Sequence, residues 1–305
     1  MNNEFPLVYI VILNWNNWWD TLECVSTLEE TNYPNFKILI VDNGSSNDSV
    51  ERLRSARPQL PILIGDTNVG FAQGNNLGIR WVMERDADYV FLLNNDTVVD
   101  SRAIDELTKV AESDGSIGVV SPKIFYYSSP ETFWFVKAKV NLKTGLVGYH
   151  QGKNQKDRGQ FDREGDIERA SGCAMMVKRK VVEEIGLFDA NYFCYLEEVD
   201  WCIRCREAGF RITYVPQAKV WHKVASSRGG EKSAEIIYYC VRNTLYLVTK
   251  FLPFEDEFRE NFRKIVIIFL HLLMVLRLRI KLNAGIKEVF YGVKDFHRGR
   301  LGKRR

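Results

Sequence analysis

Histidine is scarce in this chain, four among 305 residues. Cysteine is little more common: six residues at 24, 173, 194, 202, 205 and 240. That scatter lacks the dense spacing of a secreted disulfide scaffold and fits free thiols in a reducing compartment. Cys202 and Cys205 form a C-x-x-C, but no second pair accompanies it and the surrounding segment reads as helix, so packed thiols are expected rather than a zinc or redox centre. No run of about 20 apolar residues is present, so no segment crosses a bilayer comfortably. The start, Met1-Asn2-Asn3-Glu4-Phe5-Pro6, has neither a basic leader nor an apolar core. No secretory signal is therefore expected, and the protein is placed in the cytosol. No internal repeat is found. Apolar residues, 46% of the chain, suffice for a folded core and argue against long disordered spans.

An excess of one charge is missing overall, at +3, but present locally. Residues 258–305 hold 13 Lys and Arg against 3 Asp and Glu, whereas residues 1–257 hold 29 against 36. A mildly acidic body thus carries a basic tail, which suggests an anionic partner for the tail. Within it Ile265–Leu276 is apolar but for His271 and is flanked by Arg263, Lys264, Arg277, Arg279 and Lys281. This reads as an apolar helix lying at an anionic membrane surface, an arrangement compatible with packing on the body.

Four short apolar runs, 7–13, 37–41, 61–64 and 89–93, read as strands buried on both faces and end at Asn14, Asp42, Gly65 and Asn94. Helical segments at 18–30, 47–56 and 70–85 separate them. This β-α alternation calls for a parallel sheet with right-handed crossovers, whose ligands bind beyond the carboxyl ends of the strands. Asn14, Asp42, Asn43, Asn94, Asn95 and Asp96 gather there. Farther along, the pattern gives a strand at 117–125, a hairpin or two over 132–150 turning at Lys143-Thr144-Gly145, and a polar, mobile loop over 151–168. A strand at 170–177, helices at 179–185 and 196–208, and two strand pieces at 211–215 and 218–221 follow.

The chemistry sits at four places. Asp42, followed by the turn-forming Gly44 and capping residues, can accept a hydrogen bond from a nucleobase imide or a ribose hydroxyl. Residues 68–78 are glycine-bearing but have the wrong spacing for a dinucleotide fingerprint; they suggest close approach of backbone to a ligand or a neighbouring strand. In Phe91-Leu92-Leu93-Asn94-Asn95-Asp96-Thr97 one acid stands at a strand end between neutral oxygen donors. It can hold Mg²⁺ or Mn²⁺ weakly, a nucleotide diphosphate supplying the remaining charged oxygens. Finally, Glu197, Glu198 and Asp200 open a helix, where the macrodipole favours acids and where one ionised carboxylate can act as general base. His222, at a strand end, is a candidate metal ligand or phosphate donor.

In order along the chain, VILNWN at 11–16, VDNGSSND at 41–48, NVGFAQGNN at 68–76, LLNNDT at 92–97, SGCAMMVKR at 171–179, GLFDANYFCYLEEVDW at 186–201 and VWH at 220–222 resemble family 2 glycosyltransferases of the rhamnosyltransferase-like branch. The resemblance covers nearly the whole chain. It implies the α/β GT-A fold, a Rossmann-like, mixed and mostly parallel central sheet flanked by helices, with a C-terminal helical extension. It implies a catalytic domain at 1–225, with the nucleotide-sugar half to about 125 and the acceptor half beyond it, and a basic, membrane-associating region at 226–305. It places donor contacts at Asn14, Asp42, Asn43, Asn68, Gly70, Asn75, Asn94, Asn95 and Asp96, and Mg²⁺ or Mn²⁺ at Asp96 and His222. The family's D-x-D falls on Asn94-Asn95-Asp96, leaving only Asp96 charged. The catalytic pair falls on Glu197-Glu198, with Glu198 where an aspartate base is usual, and with Glu197 and Asp200 as rivals for that role.

The implied activity is inverting transfer from a nucleotide-diphosphate sugar, dTDP-rhamnose or a UDP-sugar, to a glycan or polyprenyl-linked acceptor at the inner face of the cell membrane. No nucleic-acid partner is expected, and the oligomeric state is left open. A nucleotidyltransferase is the nearest competing reading, but Asn14-Trp15-Asn16-Asn17-Trp18-Trp19 stands where its glycine-rich basic loop would be. A non-catalytic carbohydrate-binding protein is the third; Asp42, Asp96 and Glu198 together argue against it.

Overall fold

The computed structural model describes residues 5–224, 234–252 and 256–304. The start of the chain and the expected domain boundary at 225/226 lie outside them.

The amino-terminal half follows the sequence pattern closely. Strands β1 (Val8–Asn14), β2 (Phe36–Asp42), β3 (Ile62–Ile64) and β4 (Tyr89–Asn94) alternate with helices α1 (Trp18–Glu29), α2 (Ser49–Ala56) and α3 (Gly70–Met83). The strands lie in the order β3-β2-β1-β4, all parallel. Successive residues of β1 enter opposite cores, Tyr9 and Val11 on one face of the sheet, Val8, Ile10 and Ile12 on the other. Hence the runs carry no polar alternation. A Cβ on Gly78 would lie 2.4 Å from the Val11 side chain, so that glycine lets α3 settle onto the sheet.

Beyond β4 the sheet changes direction. After β5 (Thr97–Val99) and α4 (Ala103–Ser113), it is extended by β6 (Ile117–Tyr126), β7 (Ser129–Phe135), β10 (Gly165–Asp166), β11 (Ala174–Lys178) and β12 (Arg211–His222), while β8 (Lys137–Asn141) and β9 (Leu146–Gln151) form a separate hairpin. The main path runs β10-β12-β6-β11-β4-β1-β2-β3, and β11 is antiparallel to both its neighbours. Helices α5 (Arg179–Ile185) and α6 (Glu197–Glu207) precede β12.

Three expectations need correction. The segments 211–215 and 218–221 are one strand, β12, with an irregularity between Val215 and Lys219 that mimics a break. The strand expected at 170–177 begins only at Ala174, because Ser171 to Ala174 form a tight turn. The segment 151–168 is held in place: the buried ammonium of Lys123 donates to Asp157 at 2.9 Å and to Asp162 at 2.5 Å, and Gly165–Asp166 joins the sheet. Its polar composition reflects acids that neutralise a buried lysine. The sequence reading also passed over β5 and α4, although α4 buries Ile104, Leu107, Val110 and Ala111 at helical spacing.

Helix α7 (Ala234–Phe251) packs against the loop before α6, and α8 (Glu257–Arg277) and α9 (Leu282–His297) pack on α7 and each other. None of the described helices is long and apolar enough to cross a membrane. His271 faces inward, its Nδ1 2.8 Å from the Ile267 carbonyl, and burial pushes its pKa down. The outward face of α8 is apolar: Phe258, Phe262, Ile265, Phe269, Leu273 and Leu276 are exposed, as are Leu282, Ile286 and Phe290 on α9.

Candidate active site

The carboxyl ends of β1, β2 and β4 bring Asn14, Asp42 and Asn94 to one edge of the sheet. Asn14 pairs with Asp42 in register, and Leu13 with Asn94. Asn14 donates through Nδ2 to Asp42 Oδ2 at 2.7 Å and accepts from Thr21 Oγ1 at 2.8 Å. Asp42 also accepts from the Ser45 N–H at 2.9 Å and from Ser45 Oγ at 2.6 Å. Both residues are fully buried. The carboxylate therefore fixes the 44–46 turn, whose Ser46 N–H reaches Asn16 Oδ1. Asn43 Oδ1 accepts from the Val69 N–H at 3.1 Å, and its Nδ2 donates to the Gly70 carbonyl at 3.0 Å. Asn68 Oδ1 accepts from Asn43 Nδ2 and from the Gly70 N–H. Asn75 is turned into α3, donating to the Phe71 carbonyl.

The three residues after β4 divide their work. Asn95 is buried and donates to the Asn17 carbonyl and Thr21 Oγ1, pinning the start of α1. Asn94 has its backbone N–H bonded to the Cys173 carbonyl at 2.8 Å and its side chain half-buried at the edge. Asp96 Oδ1 lies 3.1 Å from His222 Nε2, because β5 and β12 pair with His222 opposite Thr97. Burial opposes a charge on His222; the Cys173 sulfur and the Asp96 carboxylate beside it outweigh that and hold its pKa well above the usual value. To ligate a metal the imidazole must shed that proton.

A carboxylate and an imidazole this close would suit Mn²⁺, which accepts both oxygen and nitrogen ligands, better than Mg²⁺, which prefers oxygen and water. Among the described residues no cluster of three or more His, Cys, Asp or Glu forms a closed cage.

The acids of α6 stand across a single turn. Tyr195 and Leu196 both have positive φ, 68° and 74°, immediately before Glu197. Such non-glycine conformations cost about 1–3 kcal/mol each and need external support. Asn243 of α7 supplies it, donating to the Cys194 carbonyl at 2.9 Å and the Tyr195 carbonyl at 2.7 Å. Glu197 is buried, whereas the Glu198 side chain keeps 14% exposure and accepts from Arg169 Nη1 at 2.8 Å. Asp200 is fully buried between Arg204, at 2.8 Å, and Lys250 of α7, at 2.6 Å. That environment makes Asp200 a tether between α6 and α7 and leaves Glu198 as the accessible acid.

A backbone hydrogen bond joins the halves of the site. The Phe71 N–H donates to the Phe193 carbonyl at 2.7 Å. Gly70, with φ 89°, allows this, since a Cβ there would fall 2.2 Å from the Phe193 oxygen. Sequence reasoning found the acids but missed Arg169, Asn243, Lys250 and Lys223, whose ammonium bonds Asp20 and Glu23. Each meets its partner across 29 or more residues, so no local pattern marks it. An open groove of about 580 Å³ between the β8–β9 hairpin and α6, lined by Lys139, Asn141, Glu168 and Arg206 among others, contains none of the site acids.

The family model described as "Glycosyl transferase family 2" matches residues 9–186. The chain is 24% identical over 260 residues to the dTDP-rhamnosyl transferase RfbF of Shigella flexneri, covering 80% of each. It is 24% identical over 235 residues to the N-acetylglucosaminyl-diphospho-decaprenol L-rhamnosyltransferase of Mycobacterium tuberculosis, covering 70% of this chain and 75% of that one. Among solved structures, the mannosyltransferase PcManGT from Pyrobaculum calidifontis in complex with GDP-Man and Mn²⁺ superposes with a TM-score of 0.58 at 13% identity, over 98% of this chain and 84% of that one. GalNAc-T7 with UDP, GalNAc and Mn²⁺ gives 0.60 at 12% identity, over 96% of this chain and 58% of that one. The fold is thus GT-A, and a family match across more than half its length identifies the chain as a member of glycosyl transferase family 2.

Proposed function

We propose that the protein is an inverting transferase that moves a sugar, rhamnose from dTDP-rhamnose or a hexose from a UDP-sugar, onto a hydroxyl of a glycan or lipid-linked acceptor in cell-surface polysaccharide synthesis. One observation carries this reading. The turn Ser171-Gly172-Cys173 lies between the end of β4 and Glu198: Cys173 bonds the Asn94 backbone, and a Cβ on Gly172 would sit 3.6 Å from the Glu198 Cβ. The residues proposed for the phosphate and for the proton therefore flank one turn.

Asp42, with Asn14 and Asn43, positions the nucleoside, and Asn68 and Gly70 shape the loop beside it; Asn94 and Asp96 face the diphosphate. Glu198 takes the proton of the acceptor hydroxyl. The acceptor oxygen bonds to the anomeric carbon as the bond from that carbon to the diphosphate breaks. Attack from the opposite face inverts the configuration, and a nucleoside diphosphate leaves. Mg²⁺ or Mn²⁺ held by Asp96 and His222 would neutralise charge on the departing diphosphate. In a thermal-shift screen of dTDP-rhamnose, UDP-hexoses and UDP-galactofuranose with and without Mn²⁺, at least one donor is expected to raise the Tm, because a ligand selective for the folded state stabilises it by mass action. No shift with any donor overturns the reading.

The apolar faces of α8 and α9, bordered by exposed Arg259, Arg277, Arg279, Lys281 and Lys287, suit the surface of an anionic bilayer, where apolar burial and charge attraction add. On this reading the enzyme sits peripherally at the cytoplasmic face of the membrane, beside a polyprenyl-linked acceptor. The protein is expected to float with vesicles containing phosphatidylglycerol, and Phe262→Asp with Phe269→Asp to release it. Flotation undiminished in that double variant would show that another surface binds the lipid.

A further inference from the structure

We propose that Arg169 is the positioning residue for the general base, a buried guanidinium that anchors one oxygen of Glu198 and leaves the other for the acceptor. The inference rests on the reading of Glu198 as base.

Arg169 stands just before the Ser171–Cys173 turn and is 4% exposed. Its fork spans two partners, Nη1 to Glu198 Oε1 at 2.8 Å and Nη2 to His150 Nε2 at 2.5 Å. A guanidinium has only donors, so His150 must accept through an unprotonated Nε2 and carry its proton on Nδ1. Burial, then the neighbouring charges of Arg169 and Lys153, push the His150 pKa down to about 3, which keeps the imidazole neutral across the working range. His150 is itself fixed edge-on against Phe135, with ring centroids 5.1 Å apart, and the Arg169 guanidinium lies 5.8 Å from the centre of the same ring. Arg169 thus has a fixed anchor on one side and presents a directed donor on the other.

Glu198 has no other cation within ion-pairing distance among the described residues. The remaining titratable neighbours are Glu197 and Cys202 on its own helix and Cys240 on α7; burial pushes both thiols up to about 12, so they are neutral at physiological pH. Arg169 is therefore the cation that holds Glu198 among the described residues. Fixing Oε1 also fixes where Oε2 points, and orientation of a reacting group is worth large factors in rate.

The test uses the full-length protein, with donor turnover read as release of dTDP from dTDP-rhamnose with water as acceptor. Arg169→Met is expected to lower kcat by about 10-fold or more and leave the KM for donor unchanged. Arg169→Lys, which keeps the charge but cannot span both partners, is expected to recover only part of kcat. A folded Arg169→Met with unaltered kcat, or one whose loss appears in the KM for donor rather than in kcat, overturns the proposal. Should Arg169→Met not fold, wild-type kcat in Arg169→Lys overturns it. Glu198→Gln separates the premises: full turnover there sinks the base assignment itself, whereas an inactive Glu198→Gln beside a normal Arg169→Met sinks only the role of Arg169.

Discussion

Glu198→Gln is expected to lower transfer by about 10²–10⁴-fold, the usual contribution of a positioned general base, while leaving the Tm increase produced by donor unchanged. The substitution keeps the size of the side chain and its Oε1 contact with Arg169 while removing the carboxylate proposed to receive the acceptor proton. On the proposed reading the donor binds on the opposite side of the Ser171–Cys173 turn, so its affinity has no reason to move. The neighbouring acids should behave differently. Asp200→Asn weakens pairs to Arg204 and Lys250 at a fully buried site, so its effect should appear first as a lower Tm, since breaking one side of a buried ion pair is strongly destabilising. If Glu198→Gln turns over near the wild-type rate and Glu197→Gln does not, the base is Glu197. Kinetics with saturating donor, beside a melt of each variant, distinguish these cases.

Mn²⁺ is expected to bind weakly to the protein alone and at least tenfold more tightly once UDP or dTDP is present, and Asp96→Ala to abolish that coupling. On the proposed reading the metal is held by one carboxylate and one imidazole, Asp96 and His222, while the first acid position of a full D-x-D holds Asn94. The diphosphate would then supply the missing charge. Coupling is reciprocal, so Mn²⁺ must raise nucleotide affinity by the same factor. Calorimetry of each ligand alone and in the presence of the other closes that cycle. Equal Mn²⁺ affinity with and without nucleotide would refute the shared site.

Much of this arrangement was legible from local pattern. β1, β2 and β4 announce themselves as apolar runs buried on both faces, and their polar terminators, Asn14, Asp42 and Asn94, meet at one edge because parallel strands end on the same side. Motif order then placed Asp96, Glu198 and His222. The segment 151–168 misled because two acids that neutralise a buried lysine look, in sequence, like a solvated loop. β12 looked like two strands because an irregularity interrupts its pairing without ending it.

The sequence by itself determined the alternation of strands and helices, the edge on which their polar terminators meet and the acids available there, because these follow from periodicity and from residues adjacent in the chain. Tertiary structure alone decided what each acid can do. Asp200 is tethered by Lys250 from α7, Asp96 is joined to His222 by the pairing of β5 with β12, and Glu198 is held by Arg169 with its side chain still reachable. Burial and opposite charge set the state of a carboxylate, and both are properties of what the fold packs against it.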